Sequence, residues 1–183
     1  MARLHAIPSL TSLTATANYM SPENLAQLPI NLTHLSLLIH SRNASWKQFP
    51  VGKLPLGLRT LTLEDYMYSI KLKREDFQTF QKMESLEELN IDCNAESINN
   101  EDFLLLPRTL RKIRMNGPKR FDSGCFVFLP RYLLHLSLQG LTLANPAHLQ
   151  NLPRGLRTLQ AWSTPLATEH DVVLPTTLPI DIQ

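Results

Sequence analysis

Apolar and polar residues alternate in short bursts that recur at regular intervals along this chain. The six-residue pattern Leu-x-x-Leu-x-Leu, in which Ile, Met or Ala replaces some of the later leucines, occurs seven times. Its copies begin at Leu10, Leu32, Leu58, Leu86, Leu110, Leu133 and Leu156, and an eighth copy begins at Leu178. Successive first leucines are 22, 26, 28, 24, 23, 23 and 22 residues apart. Because the pattern alternates like one face of a strand, it predicts about seven to eight short β-strands.

A Leu-Pro pair precedes most copies at a fixed distance. It occurs at Leu28-Pro29, Leu54-Pro55, Leu106-Pro107, Leu129-Pro130, Leu152-Pro153 and Leu174-Pro175. Proline fixes its own φ and has no N–H, so it can precede a strand without removing a hydrogen bond from the sheet. Further upstream an apolar residue recurs, at Leu25, Phe77, Phe80, Phe103, Phe126 and Leu149. We expect these side chains to fill the core behind the sheet.

The segments that connect the strands differ in length. The longest lies between Lys71 and Met83, where Phe77, Phe80 and Met83 are spaced i, i+3 and i+6. This spacing predicts one or two turns of helix. The other connections, such as Asn145 to Pro153, are short and bounded by proline, which favours 3₁₀ turns or irregular chain.

Together these motifs resemble the leucine-rich repeat family over nearly the whole chain. The Leu-Pro-x-x-Leu-x-x-Leu-x-Leu form is similar to the repeats of bacterial type III effectors and of some protist repeat arrays. The resemblance implies an α/β fold, a right-handed solenoid with a parallel β-sheet on the concave face. Short helices, 3₁₀ turns and loops would form the convex face. It also implies a protein–protein interaction module, with a bacterial effector as one form of it.

Stacking is also expected on physical grounds, because one repeat cannot bury its own leucines whereas stacked repeats share a continuous core. We therefore expect residues 1–183 to form a single repeat domain. The unfinished copy at Leu178 indicates a fragment of a longer array or a covered end. The alternative is that Met1 to Pro8 and the last strand suffice as caps.

Composition narrows the class of protein. Leucine occupies 35 of 183 positions, and 13 prolines scattered among them exclude a long coiled coil. A hydrophobic fraction of 43% with 19% charged residues excludes a disordered tail. No apolar run is long enough for a membrane span. Cys93 and Cys125 form neither a disulfide scaffold nor a C-x-x-C pair, which favours a reducing compartment. We expect the cytoplasm, or the host cytoplasm for a translocated effector.

The alternation within each strand predicts which side chains face a partner on the concave sheet. They are His34, Thr60, Thr62, Glu64, Glu88, Asn90, Asp92, Lys112, Arg114, Asn116, His135, Ser137, Gln139, Gln160 and Trp162. An acidic repeat with Glu88 and Asp92 would lie beside a basic one with Lys112 and Arg114. These charges either neutralise one another across strands or form a bipolar strip that orients a partner.

The last predicted strand ends on a tryptophan, Trp162. It is either an anchor for a partner, since tryptophan is enriched at binding hot spots, or a cover for the last repeat, where Ala161 replaces the usual leucine.

A basic rim is predicted beside the strands. Its residues are Arg108, Arg111, Arg131, Arg154 and Arg157. Stacking would bring like charges together, so the rim could bind an acidic protein surface, an anionic lipid surface or nucleic acid phosphates. The alternative is a solvated rim whose arginine stems cover apolar surface. Nucleic acid ranks below protein because the strip lacks interleaved aromatic residues.

Catalysis receives little support. His34, His135, His148 and His170 show no metal-ligand spacing, and there is no glycine-rich phosphate loop. We expect no enzyme activity, no cofactor and no metal site. The leading hypothesis is a protein-recognition module with a partner that is acidic in part. The alternative is a structural subunit whose open ends are buried in a larger assembly.

Overall fold

The computed structural model describes residues 7–17, 21–39, 49–65, 68, 70–117, 120–139, 141–142 and 144–162. Seven five-residue strands follow the seven complete copies of the leucine pattern. They are β1 (Ser12–Thr16), β2 (His34–Leu38), β3 (Thr60–Glu64), β4 (Glu88–Asp92), β5 (Lys112–Asn116), β6 (His135–Gln139) and β7 (Thr158–Trp162). Each begins two residues after the first leucine of its copy, so the strand prediction is confirmed for these copies. The eighth copy lies outside the described residues.

The seven strands form one all-parallel sheet in which each strand pairs with the next along the chain. The register keeps the repeats in phase: Leu35 lies opposite Leu61, and Leu61 lies opposite Leu89. The chain is therefore an α/β protein in which each connection leads to the neighbouring parallel strand. This order requires connections that pass behind the sheet, because parallel strands cannot be joined by tight hairpins.

The two sides of the sheet differ in burial as the alternation predicted. Leu61, Leu89 and Ile113 are fully buried. The intervening Thr62 is half-buried and Arg114 is exposed. Because successive side chains of a strand point to opposite faces, the leucines cover one side of the sheet and the variable residues occupy the other.

The connections contain short helices. The α-helices are α1 (Pro22–Leu25) and α2 (Arg74–Gln81), and the 3₁₀ helices are Val51–Lys53, Asn100–Leu105, Ser123–Phe128 and Pro146–Asn151. The helix predicted for the longest connection is confirmed by α2. The expectation of 3₁₀ or irregular chain elsewhere holds except at α1. There Ser21 and Asn24 exchange backbone-to-side-chain hydrogen bonds and Pro22 occupies the first turn, which stabilises an α-helical start.

A layer of large apolar side chains lies between the connections and the sheet. Phe77, Phe80, Phe103 and Phe126 are all fully buried, as expected. The rings of Phe77 and Phe103, from successive connections, lie 5.9 Å apart. Each such ring contributes about 1.5–3 kcal/mol by leaving water. The aromatic layer thus joins one repeat to the next.

Buried aspartates accept hydrogen bonds at the first turn of the helices in the connections, and one of them also binds a side chain of the preceding repeat. Asp102 is only 1% exposed, and its Oδ2 accepts a hydrogen bond from the backbone N–H of Asn99. Its Oδ1 lies 2.6 Å from Nη1 of Arg74 in the preceding repeat. Asp76 plays the same capping role toward Lys73, and burial raises the pKa of the Asp76 carboxyl. These contacts fix the connections relative to one another along the array.

Within the described ranges, every helix is too short or too polar to cross a membrane.

Candidate partner-binding surfaces

The side of the sheet opposite the leucines carries rows of side chains held in register, and we call it the sheet face. The row at the start of the strands contains His34, Thr60, Glu88, Lys112, His135 and Thr158. The next row contains Ser36, Thr62, Asn90, Arg114, Ser137 and Gln160. The predicted concave-face residues of these two rows are therefore brought together on one surface. Both rows follow from the parallel register of the strands, whether or not neighbouring side chains in a row contact each other.

The acidic strand β4 lies beside the basic strand β5, as predicted. Lys112 Nζ lies 3.5 Å from Glu88 Oε2, and both side chains are about half exposed, at 50% and 48%. An exposed cross-strand pair of this kind contributes about 0.2–1 kcal/mol. Neutralisation across strands therefore accounts for this one pair of charges.

Arg114 is not neutralised in the same way. It lies opposite Asn90 on one side and Ser137 on the other. Its side chain is exposed and makes no ion pair with any other described residue. The sheet face therefore has an available guanidinium near its centre.

Asn116 corrects one prediction, because it is buried rather than displayed. Only 5% of it is exposed, and its Nδ2 donates a 2.6 Å hydrogen bond to Asp92 Oδ1 in the neighbouring strand. An amide held against a carboxylate at the end of two strands satisfies a partly buried charge. Asn116 and Asp92 thus bind each other, which removes Asn116 from the candidate contact surface.

The other predicted residues of the sheet face vary in exposure. His135 Nδ1 lies 2.9 Å from Thr158 Oγ1 across β6 and β7. Glu64 is half-buried, and Gln139 is exposed. Trp162 ends β7 opposite Gln139, but its side chain lies outside the described part of the structure.

The predicted basic rim divides into two columns. In three successive repeats, the first leucine of the pattern donates its backbone N–H to the carbonyl oxygen of the preceding Leu-Pro proline. These hydrogen bonds run from Leu110 to Pro107, from Leu133 to Pro130 and from Leu156 to Pro153. Arg108, Arg131 and Arg154 each follow that proline and so take the same corner of equivalent turns. All three are exposed. The three arginines therefore occupy equivalent positions in three successive repeats, and their role in binding stays a prediction.

Arg111 and Arg157 belong to the second column, which is mixed. Backbone hydrogen bonds place Arg111 between Glu87 and Leu134, and Arg157 beyond Leu134. These two arginines are therefore not adjacent, because Leu134 lies between them in the second column. The neighbouring Arg59 binds Glu87 at 2.6 Å, and this hydrogen bond lowers the pKa of the Glu87 carboxyl. The second column is thus partly neutralised, whereas no described residue forms an ion pair with the first column.

A groove opens beside the first column, and we call it the edge groove. Its volume is about 830 Å³, and it is lined by Leu104, Arg108, Val127, Phe128, Leu129, Arg131, Tyr132, Asn151, Leu152, Pro153 and Arg154. Sequence reasoning had found the arginines of this lining. It missed Leu104, Val127 and Tyr132, which are 45%, 58% and 70% exposed. The available signal was their position, since Leu104 and Val127 are equivalent residues of successive repeats and Tyr132 directly follows Arg131.

The serine, histidine and cysteine side chains that could be reactive are buried or hydrogen-bonded within the fold. Ser123 Oγ lies 2.9 Å from His148 Nδ1, but it is fully buried and accepts the backbone N–H of Ala144. Cys93 and Cys125 are buried thiols. Across the described ranges no three His, Cys, Asp or Glu side chains converge to hold a metal ion.

A search of protein-family models and a search of curated proteins each found no match to this chain.

Proposed function

We propose that this chain is a protein-recognition module of the leucine-rich repeat type. In this proposal the stacked repeats form a right-handed solenoid, and the sheet face is the concave surface that contacts a protein partner. The buried leucines would supply a rigid scaffold, and the variable residues between them would supply specificity.

The observation that carries the proposal is the difference between the two sides of the sheet, one buried and apolar and the other lined by variable residues. Leu61, Leu89 and Ile113 are buried, while the residues between them form continuous rows. Near the centre of these rows, Arg114 makes no ion pair with another described residue. A surface of polar side chains preorganised on a rigid sheet loses little conformational entropy on binding.

The test is quantitative capture of partners from native lysate with wild-type and variant protein. The sheet-face variant combines Lys112→Glu with Arg114→Glu. The matched control combines Lys53→Glu with Lys82→Glu, which reverses two exposed positive charges on the connections. We expect the sheet-face variant to lose at least about tenfold of partner binding and the control to retain it. Equal recovery by both variants contradicts recognition through the sheet face.

A structural subunit is the second candidate, and the edge of the sheet favours it. Leu13 and Ala15 in β1 are only half-buried, whereas their counterparts Leu35 and Leu37 in β2 are fully buried. Among the described residues β1 pairs with β2 alone, and a strand edge of this kind with half-buried apolar side chains can pair with a further chain. Light scattering over a range of concentrations tests this: a multimer that Leu13→Lys dissociates supports the subunit, and a monomer at all concentrations contradicts it.

A further inference from the structure

The first column of the basic rim consists of three arginines, Arg108, Arg131 and Arg154. No described residue neutralises their charges. Neighbouring strands of a sheet are about 4.8 Å apart, and equivalent turns of successive repeats follow that spacing. Arg108, Arg131 and Arg154 therefore stack within reach of one another. None of them makes an ion pair or a side-chain hydrogen bond with another described residue. Such an arrangement is unfavourable in isolation and becomes favourable when an anionic group bridges the guanidiniums.

Among the described residues, an acidic side chain occupies the turn next to Arg108. Glu84 occupies the corresponding turn one repeat before Arg108 and lines the adjoining depression together with Arg108 and Glu87. The positive character of the edge groove therefore increases from Arg108 toward Arg131 and Arg154. A negatively charged partner would make its strongest contacts at Arg131 and Arg154.

The opposite wall of the edge groove is apolar and open to solvent. Leu104 and Val127 come from the 3₁₀ helices Asn100–Leu105 and Ser123–Phe128 and lie side by side in the array. Tyr132 adds an aromatic ring that is 70% exposed beside Arg131. Exposed tyrosine, arginine and aliphatic residues in one concave patch are typical of the centre of a protein interface.

We propose that the edge groove binds an acidic peptide segment that carries a large apolar side chain. Its carboxylates contact Arg131 and Arg154, with Arg108 as a weaker third site. Its apolar side chain packs against Leu104, Val127 and the ring of Tyr132. This inference deepens the proposed recognition function by naming the chemistry of a partner. It uses a surface separate from the sheet face, so the two can fail independently.

The lining favours a peptide over a nucleic acid. Guanidinium groups bind carboxylates and phosphates alike, but single-stranded nucleic acids bind by stacking bases on successive aromatic rings. The lining contains two aromatic residues, the exposed Tyr132 and the half-buried Phe128, whereas the exposed Leu104 and Val127 are aliphatic. An aliphatic wall has a match in a protein side chain and none in a stacked base.

The experiment measures binding of labelled synthetic peptides to the full chain by fluorescence anisotropy. The probe is an acidic heptapeptide, Asp-Glu-Asp-Phe-Glu-Asp-Glu. Three further probes separate its features: the same peptide with Ala for Phe, the same peptide with Asn and Gln for the acidic residues, and an oligothymidylate of equal charge. We expect the Phe-containing acidic peptide to bind most tightly and its affinity to fall as salt rises.

Variants locate the site. The groove variant combines Arg131→Glu with Arg154→Glu, and the control is again Lys53→Glu with Lys82→Glu. We expect at least about a tenfold loss of affinity with the groove variant and none with the control. Tyr132→Ala should weaken binding of the Phe peptide and leave that of the Ala peptide unchanged. All replaced side chains are exposed, and thermal melting checks that each variant remains folded.

Three results overturn the inference. The first is no detectable binding of the acidic Phe peptide at protein concentrations up to about 1 mM. The second is tighter binding of the oligothymidylate than of the peptide. The third is loss of peptide binding with Lys112→Glu plus Arg114→Glu but not with the groove variant. That third result moves the peptide to the sheet face, so it rejects the edge groove while supporting the proposed function.

Discussion

Asp92 and Asn116 lie opposite each other at the ends of adjacent strands, and a 2.6 Å hydrogen bond joins the amide of Asn116 to the carboxylate of Asp92. The contact satisfies a half-buried charge at the boundary between the acidic and basic repeats. It also explains why Asp92 forms no ion pair with the basic strand beside it, within the described residues. The far end of the sheet face is therefore a structural contact, and its centre is the part available for binding.

Removing this amide should destabilise the fold. Asn116→Ala leaves the Asp92 carboxylate without its donor, and we expect a loss of about 1–3 kcal/mol in the free energy of unfolding. Urea denaturation measures it. Gln139→Ala, on an exposed side chain of the same face, is the control and should change stability by less than about 0.5 kcal/mol. Equal effects of the two substitutions would show that the Asp92–Asn116 contact contributes nothing.

Gly117 should tolerate no side chain. Its φ is +113°, and a Cβ placed there would lie 2.1 Å from the carbonyl oxygen of Cys93. We expect Gly117→Ala to cost at least about 1–3 kcal/mol, because both the backbone conformation and the contact become strained. Thermal unfolding gives the measurement.

The matched glycine control is Gly155. A Cβ there meets nothing closer than Leu134 Cδ2 at 3.8 Å, and its φ is ordinary. Gly155→Ala should leave stability unchanged or raise it by about 0.4–1 kcal/mol, since it reduces the entropy of the unfolded chain. If Gly117→Ala behaves like Gly155→Ala, the close approach to Cys93 is not present in solution.

The aromatic layer should respond most strongly at Phe103, whose ring lies 5.9 Å from Phe77 and 4.8 Å from Phe121. Phe103→Ala opens a cavity between two repeats, and we expect a loss of about 3–5 kcal/mol. The control is Val127→Ala in the next connection, where the side chain is 58% exposed and little area is lost. Guanidinium denaturation compares the two variants, and a Phe103→Ala cost as small as that of Val127→Ala would rule out the aromatic layer as core.

The Arg59–Glu87 pair should make stability depend on pH in the acid range. The hydrogen bond from Arg59 lowers the pKa of Glu87 from its ordinary value of 4.5. A carboxyl with a lowered pKa stabilises the folded state above its ordinary value, and this contribution disappears as pH falls through the lowered pKa. The stability difference between wild type and Glu87→Gln should therefore be present at pH 7 and vanish near pH 2. Urea titrations at both pH values measure it, and a difference that is independent of pH would contradict the assignment.

Several parts of the structure could be predicted because they depend on local periodicity. The strands, the helix α2 and the buried Phe77 and Phe80 all follow from apolar residues repeated every two or every three to four positions. The stacking of Arg108, Arg131 and Arg154 followed from their fixed offset to the Leu-Pro proline. A repeated offset in sequence becomes a column in space whenever the register is constant.

Other features could not be predicted because they depend on contacts between repeats. Leu104 and Val127 lie on successive 3₁₀ helices, and their exposure beside the arginines depends on how these connections pack on one another. Asn116 looks like any polar residue of a strand until Asp92 is placed opposite it.

By itself the chain's sequence determined where the seven described strands lie and which side of each strand is buried. These depend on the spacing of apolar side chains, which acts within a few residues. Only the tertiary structure decided which charges are neutralised, which polar groups bind each other and where an open groove remains. Those outcomes depend on distances between residues more than 20 positions apart in the sequence, and only the packing of one repeat on the next sets such distances.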